Sequence, residues 1–203
     1  MRPGCRPGLV LWLIIVGWTS PATCATFIDA LGREVRLQQQ PQRIVALAPS
    51  LTEILFALGI GERLVGATKF SDYPAAARSI PRVGSYVDIN VERIISLRPE
   101  LIIGTVDGNQ PEKVALLERA GLPVFIVDPR DIRQVIATVV TLGEVCGVAE
   151  TSAALAAELS ARVDRVVART AGLPRPLVFL QINAKPIMTA NKNSFLHDLV
   201  RLA

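Results

Sequence analysis

Apolar residues in this chain follow two rhythms that alternate along its length. Unbroken apolar runs, RIVALA at residues 43–48, LVGA at 64–67, LII at 101–103 and VFIV at 124–127, have the length of strands buried on both faces. Between them, apolar positions recur every three or four residues, as a helix with one buried stripe requires. Ile94, Ile95 and Leu97 make one such stripe, Val114, Leu116 and Leu117 another, and Ile132, Val135, Ile136, Val139 and Val140 a third. Strands alternating with helices need crossover connections. The pattern therefore predicts an α/β fold with a mostly parallel sheet covered on both faces, and ligands at the carboxyl ends of its strands.

Polar residues punctuate this pattern. Asn90 stands where a helix cap is needed, since its side-chain oxygen can accept free N–H groups of the first turn; Val91 and Glu92 then open the helix, and Pro99 stops it. Glu92 is expected on an exposed helix start, and Tyr86 in the loop just before it. Three pairs, Ser50 with Glu53, Asn109 with Glu112 and Asp131 with Gln134, have capping-box spacing and predict further helix starts. Residues 27–37 predict a small hairpin turning at Gly32. Residues 149–171 read as one long amphipathic helix, with Leu155, Leu159, Val163, Val166 and Val167 on one side and Glu158, Arg162, Arg165 and Arg169 on the other.

Beyond Gly172, Pro174 and Pro176, residues 177–182 predict a strand and 194–202 a helix. One strand and one helix cannot bury a core of their own, so this stretch is expected to be the start of a second lobe cut short. The chain then divides into a leader at 1–25, an N-terminal α/β lobe at 26–147, an interlobe helix at 148–172 and the truncated second lobe at 173–203.

Composition narrows the class. Half of the 203 residues are hydrophobic and 20% are charged, which provides for a sizeable core and argues against disorder. Arg2 and Arg6 precede an apolar run at 9–18 and small residues at 20–25, the pattern of a secretory signal peptide cleaved after Ala25. The run is shorter than the roughly 20 residues of a membrane-spanning helix. Pro21 and Thr23 depart from the residues expected before a lipidated cysteine at Cys24. The formal charge of +4 includes both leader arginines, so the remainder is too balanced for nucleic-acid binding. Loss of Cys5 and Cys24 with the leader would leave Cys146 as a lone thiol within a helical pattern, a small core residue.

Several chemistries lack their residues. APSLTE follows the first parallel strand where a dinucleotide fold would need G-x-G-x-x-G, no glycine-rich turn carries a phosphate-binding lysine, and the only histidine, His197, has no nearby second ligand. A secreted α/β enzyme using Asp72, Asp88 or Asp107 as acid or base is an alternative. It needs a clustered, perturbed pair that the sequence does not demand.

The segments RIVALAPSLTEILFALG, SDYP, NVERIISLRPELII, the Gly108-Asn109 pair before a helix, GLPVFIVD, and FLQ followed by TANKNSFLHDL occur in the order and spacing of a known family. In them the chain resembles the periplasmic binding proteins that serve ABC importers of cobalamin, ferric siderophores and haem, and is most similar to the cobalamin-binding members. The resemblance implies two Rossmann-like lobes joined by one long helix, the second incomplete here, with ligand held between facing loops of a monomer and no enzymatic activity or cofactor. It implies a corrinoid such as cobalamin as ligand, delivered to an inner-membrane permease. Phe70 and Tyr86 match aromatic positions against that ligand, and Gly108 and Asn109 fall at the same rim. A third aromatic corresponds to Thr105, a departure that leaves room for another corrinoid or metal chelate. Glu92 matches the family's first-lobe docking glutamate. A ferric siderophore or haem is the alternative ligand, for which Arg82 and Arg130 are the candidate anion-binding residues.

Overall fold

The computed structural model describes residues 25–192 and 194–203, so the expected signal peptide lies outside the described residues except for Ala25. Four parallel strands form the central sheet: β3 (Ile44–Ala46), β4 (Leu64–Ala67), β5 (Leu101–Thr105) and β6 (Val124–Val127), in the order β4-β3-β5-β6. Successive side chains along them enter opposite cores. Ile44, Ala46, Leu101, Ile103 and Phe125 pack on one face, and Val45, Ile102, Val124 and Ile126 on the other. Both faces are apolar because both are covered, which is why these strands read as unbroken apolar runs.

Helix α1 (Pro49–Ala57) and helix α4 (Ile132–Val145) supply Leu51, Leu55, Val139, Leu142 and Val145 to the first core. Helix α2 (Val91–Ser96) and helix α3 (Pro111–Arg119) supply Ile94, Val114 and Leu117 to the second. Two cap expectations hold: Asn90 accepts the Arg93 N–H at 2.7 Å, and Asp131 accepts the Gln134 N–H at 2.8 Å. Two need correction. Helix α1 starts earlier than Leu51, because Pro49 presets helical φ at its first turn, leaving Ser50 inside the helix and Ala48 at the cap with no side-chain bond. Gln110, not Asn109, precedes α3, where Pro111 plays the same part. Two stripe residues also face outward: Ile95 is 41% exposed and Leu116 45%, because α2 and α3 each present only a narrow face to the sheet.

The hairpin comes out as expected, with β1 (Ala25–Ile28) antiparallel to β2 (Glu34–Leu37) and Gly32 at a φ of +73°. Its turn closes the free edge of β6. The Ala30 N–H donates to the Ile126 carbonyl at 2.9 Å and the buried Asp29 carboxylate accepts the Ile126 N–H at 3.3 Å, so that edge residue is not left open for pairing.

Helix α5 (Ala149–Thr170) follows as one piece, about 33 Å long at 1.5 Å per residue. Its first half packs on α4 and buries Ser152 and Ala156; Val166 and Val167 farther along are exposed. The strand expected at 177–182 is shifted. A strand needs a neighbour, and the one within reach is made by the chain folding back, so β7 (Gln181–Ala184) pairs antiparallel with β8 (Ile187–Thr189) while residues 177–180 stay irregular, the first three of them exposed. Helix α6 (Phe195–Leu202) is capped by Ser194 and tied to the start of α4 by Asp198, which accepts the Ile132 N–H at 3.1 Å.

Candidate functional site

Loops from the carboxyl ends of the four strands gather at one edge of the sheet, where the topology predicts a ligand. The loop after β4 carries Phe70, 60% exposed, and Tyr73, 69% exposed. Polar residues beneath hold it. The Thr52 hydroxyl on α1 donates to the Ser71 hydroxyl at 3.1 Å, Thr68 and Ser71 hydroxyls lie 3.0 Å apart, and all three residues are buried. Arg82 donates to the carbonyls of Thr68 and Ser71, each at 3.0 Å, and pairs with Asp72 at 3.3 Å. Phe70 therefore projects from an anchored loop.

Residues 84–89 form a second excursion that returns on itself. Gly84 and Ile89 bridge antiparallel, the Ser85 N–H donates to the Asp88 carbonyl at 2.9 Å, and Gly84 has a φ of +106° with Asp88 so close that a Cβ would lie 2.5 Å from its carbonyl oxygen. Lys113 from α3 donates to the Ile89 carbonyl at 2.9 Å and pairs with Asp88. Tyr86, partly buried, sits near the tip. The two loops are joined directly, because the Lys69 N–H donates to the Gly84 carbonyl at 2.8 Å.

The structure brings Tyr86, Gly108 and Asn109 together with Thr105. The Asn109 side-chain oxygen Oδ1 accepts the Thr105 N–H at 2.8 Å; its side-chain nitrogen Nδ2 donates to the carbonyls of Leu47 at 3.2 Å and Tyr86 at 3.1 Å. Asn109 is only 6% exposed, so its amide links the ends of β3 and β5 to the tyrosine loop from below. The Thr105 hydroxyl donates to the Tyr86 phenol oxygen at 3.3 Å. The sequence pattern gives Thr105 no contact of its own and Gly104, against which Asn109 rests, no part in the site. A glycine inside an otherwise apolar strand run was the available signal of such a close approach.

Glu92 stands apart from this cluster, exposed in the first turn of α2, and no bond or ion pair engages its carboxylate among the described residues. It borders an open recess of about 520 Å³ that also takes in Lys69, Arg82, Asp88 and Lys113. The three loop carboxylates do not assemble into a pair of their own. Asp72 meets Arg82, Asp88 meets Lys113, and Asp107 meets Arg130. Arg130 is further clamped by Asp128 at 2.7 Å, and that bond, ahead of opposing burial and helped by the Asp107 charge, raises its already high pKa. Arg82 and Arg130 are thus occupied by protein groups. Among the described residues no His, Cys, Asp or Glu cluster could hold a metal ion, and no helix is long and apolar enough to cross a membrane.

Comparisons with known proteins agree with this architecture. Residues 44–203 match the family model described as periplasmic binding protein. The vitamin B12-binding protein of Yersinia pestis (strain Pestoides F) is 32% identical over 164 residues, which cover 81% of this chain and 59% of that protein. This chain thus spans about 59% of the length of the curated relative it matches. Among solved structures, the periplasmic vitamin B12-binding protein of Vibrio cholerae superposes with a TM-score of 0.72 at 28% identity, covering 80% of this chain and 64% of that one. A periplasmic heme-binding protein from Pseudomonas aeruginosa gives 0.62 at 30% identity, covering 67% and 50%.

Proposed function

Because this chain belongs to the periplasmic binding protein family, we propose that it is the substrate-binding component of an ABC importer that takes up a corrinoid such as cobalamin in the periplasm. Binding is non-covalent and leaves the ligand chemically unchanged. The observation that carries the reading is the pair of aromatics at the carboxyl edge of the sheet. Phe70 projects from a loop pinned by buried hydroxyls and Arg82, and Tyr86 from a loop bonded to it, on a framework 32% identical to a vitamin B12-binding protein. Rigid aromatic faces give contact area at little entropic cost, which suits a large ring with apolar edges.

In this reading Phe70 and Tyr86 touch the ligand, Gly108 and Asn109 serve the same rim, and α5 joins the α/β lobe to the segment beyond it. Glu92 meets the membrane permease: among the described residues its carboxylate engages no partner, and an exposed carboxylate on a helix start suits a basic surface.

Calorimetric titration of the chain with cyanocobalamin tests the ligand. Saturable binding is expected, and Phe70→Ala should weaken it about tenfold, as loss of one aromatic contact in a small hot spot does. Absence of heat at high micromolar cyanocobalamin would remove the corrinoid. Haem is the second reading, favoured by the likeness to the Pseudomonas aeruginosa protein, and hemin in the same titration separates the two. An anionic siderophore is less well served, since the guanidinium groups of Arg82 and Arg130 are already paired.

A further inference from the structure

The side of Tyr86 that meets the protein is shaped to the ring. A Cβ built on Gly108 would fall 1.9 Å from the Tyr86 Cζ and 2.0 Å from its Cε2, so the ring lies directly against the glycine backbone in space that any side chain would fill. Behind it, Asn109 spends both amide hydrogens and its carbonyl oxygen on the backbone of Leu47, Tyr86 and Thr105. Asn109 in turn needs Gly104, where a Cβ would come within 2.7 Å of its Oδ1. The third hold is the Thr105 hydroxyl on the phenol oxygen.

We infer that Asn109, Gly108 and Thr105 are positioning residues that fix the pose of Tyr86 before ligand arrives, and that none of the three needs to touch the ligand to govern its affinity. The part concerning ligand rests on the function proposed above; the part concerning the ring does not. Each hold acts on a different point: backbone carbonyl, ring face and phenol oxygen. Together they leave the ring little freedom to lose, and ordering a side chain in advance lowers the cost of binding.

The test reads the ring itself. The chain has two tyrosines, so 3-fluorotyrosine labelling of the full chain gives two fluorine resonances, with Tyr86 identified by its loss in Tyr86→Phe and Tyr73 as internal reference. Without ligand, Asn109→Ala, Gly108→Ala and Thr105→Val should each shift or broaden the Tyr86 resonance while Tyr73 stays in place, and Thr105→Ser should restore it. Cyanocobalamin affinity should fall about tenfold in the first two and about threefold in Thr105→Val, in keeping with the loss of preorganisation. Thr105→Val removes one hydroxyl and keeps the side-chain volume, so it remains informative if the other two fail to fold. An unmoved Tyr86 resonance in Thr105→Val and in whichever of the other variants folds overturns the inference. So does lost affinity with an unmoved resonance, which would make these residues direct contacts. A shifted resonance in a chain that binds neither cyanocobalamin nor hemin upholds the positioning role and removes the proposed function instead.

Discussion

Asp29 shows what one residue can do for the edge of a sheet. Its carboxylate accepts the N–H groups of Leu31 at 2.9 Å and Arg33 at 3.0 Å, the Arg33 Nε at 2.9 Å and the Ile126 N–H at 3.3 Å. Burial pushes its pKa up, but the Arg33 side chain, the backbone N–H groups of Arg33 and Leu31 and the Arg33 charge together outweigh burial and hold it below the ordinary carboxylate value. A depressed pKa contributes stability that is fully present above the unfolded-state value of about 4 and is lost as pH falls through the folded one. Asp29→Asn should therefore lower stability by about 1–3 kcal/mol at pH 7, and its deficit relative to wild type should shrink below about pH 4. Denaturant unfolding at a series of pH values measures both. The sequence showed a turn at Gly32 but not this function, because Asp29 and Ile126 are distant along the chain. Cys146 is the opposite case: a core residue by its pattern alone, fully buried, with a thiol that burial pushes up to about 12 against the opposing charge of Arg63.

At the scale of elements, what was legible depended on how local the cause is. Asn90 caps α2 because the acceptor and the N–H it serves are three residues apart, and sequence spacing captures that. Asn109 has the same spacing to Glu112, yet its amide turns inward to Leu47 and Tyr86, partners supplied by other elements. The α4–α5 pair carries a second non-local constraint. A Cβ on Gly143 would lie 2.1 Å from the Ser152 Oγ, so the helices approach as closely as a glycine permits. Gly143→Val should cost about 1–3 kcal/mol through overpacking, and Ser152→Gly in the same chain should recover part of it. A double-mutant cycle by thermal unfolding measures the coupling; additive losses would mean that the two residues do not oppose each other.

For the whole molecule, the exposed Glu92 stands on the first turn of α2, while Phe70 and Tyr86 stand on the loops that precede that helix. Under the proposed function, Glu92→Ala should reduce uptake in cells about tenfold or more, as loss of an interfacial charge pair does, while soluble ligand affinity stays within about twofold. Reduced affinity in solution would instead make Glu92 part of the ligand site. The sequence by itself determined the class and order of the elements: both-face burial writes strands as unbroken apolar runs, one-face burial writes helices as stripes, and short-range chemistry sets the cap at Asn90 and the turn at Gly32. Its motif order also pointed to the family that the match over residues 44–203 shows. Tertiary structure alone decided which strand lies beside which, that Asp29 closes the edge of β6, that Arg82 and Arg130 are occupied, and that Asn109 supports Tyr86 instead of capping α3. The physical reason is common to all four. Each depends on which strands and loops the fold brings together, as when Arg130 meets Asp107 across 23 residues besides its near neighbour Asp128, and spacing along the chain does not specify those contacts.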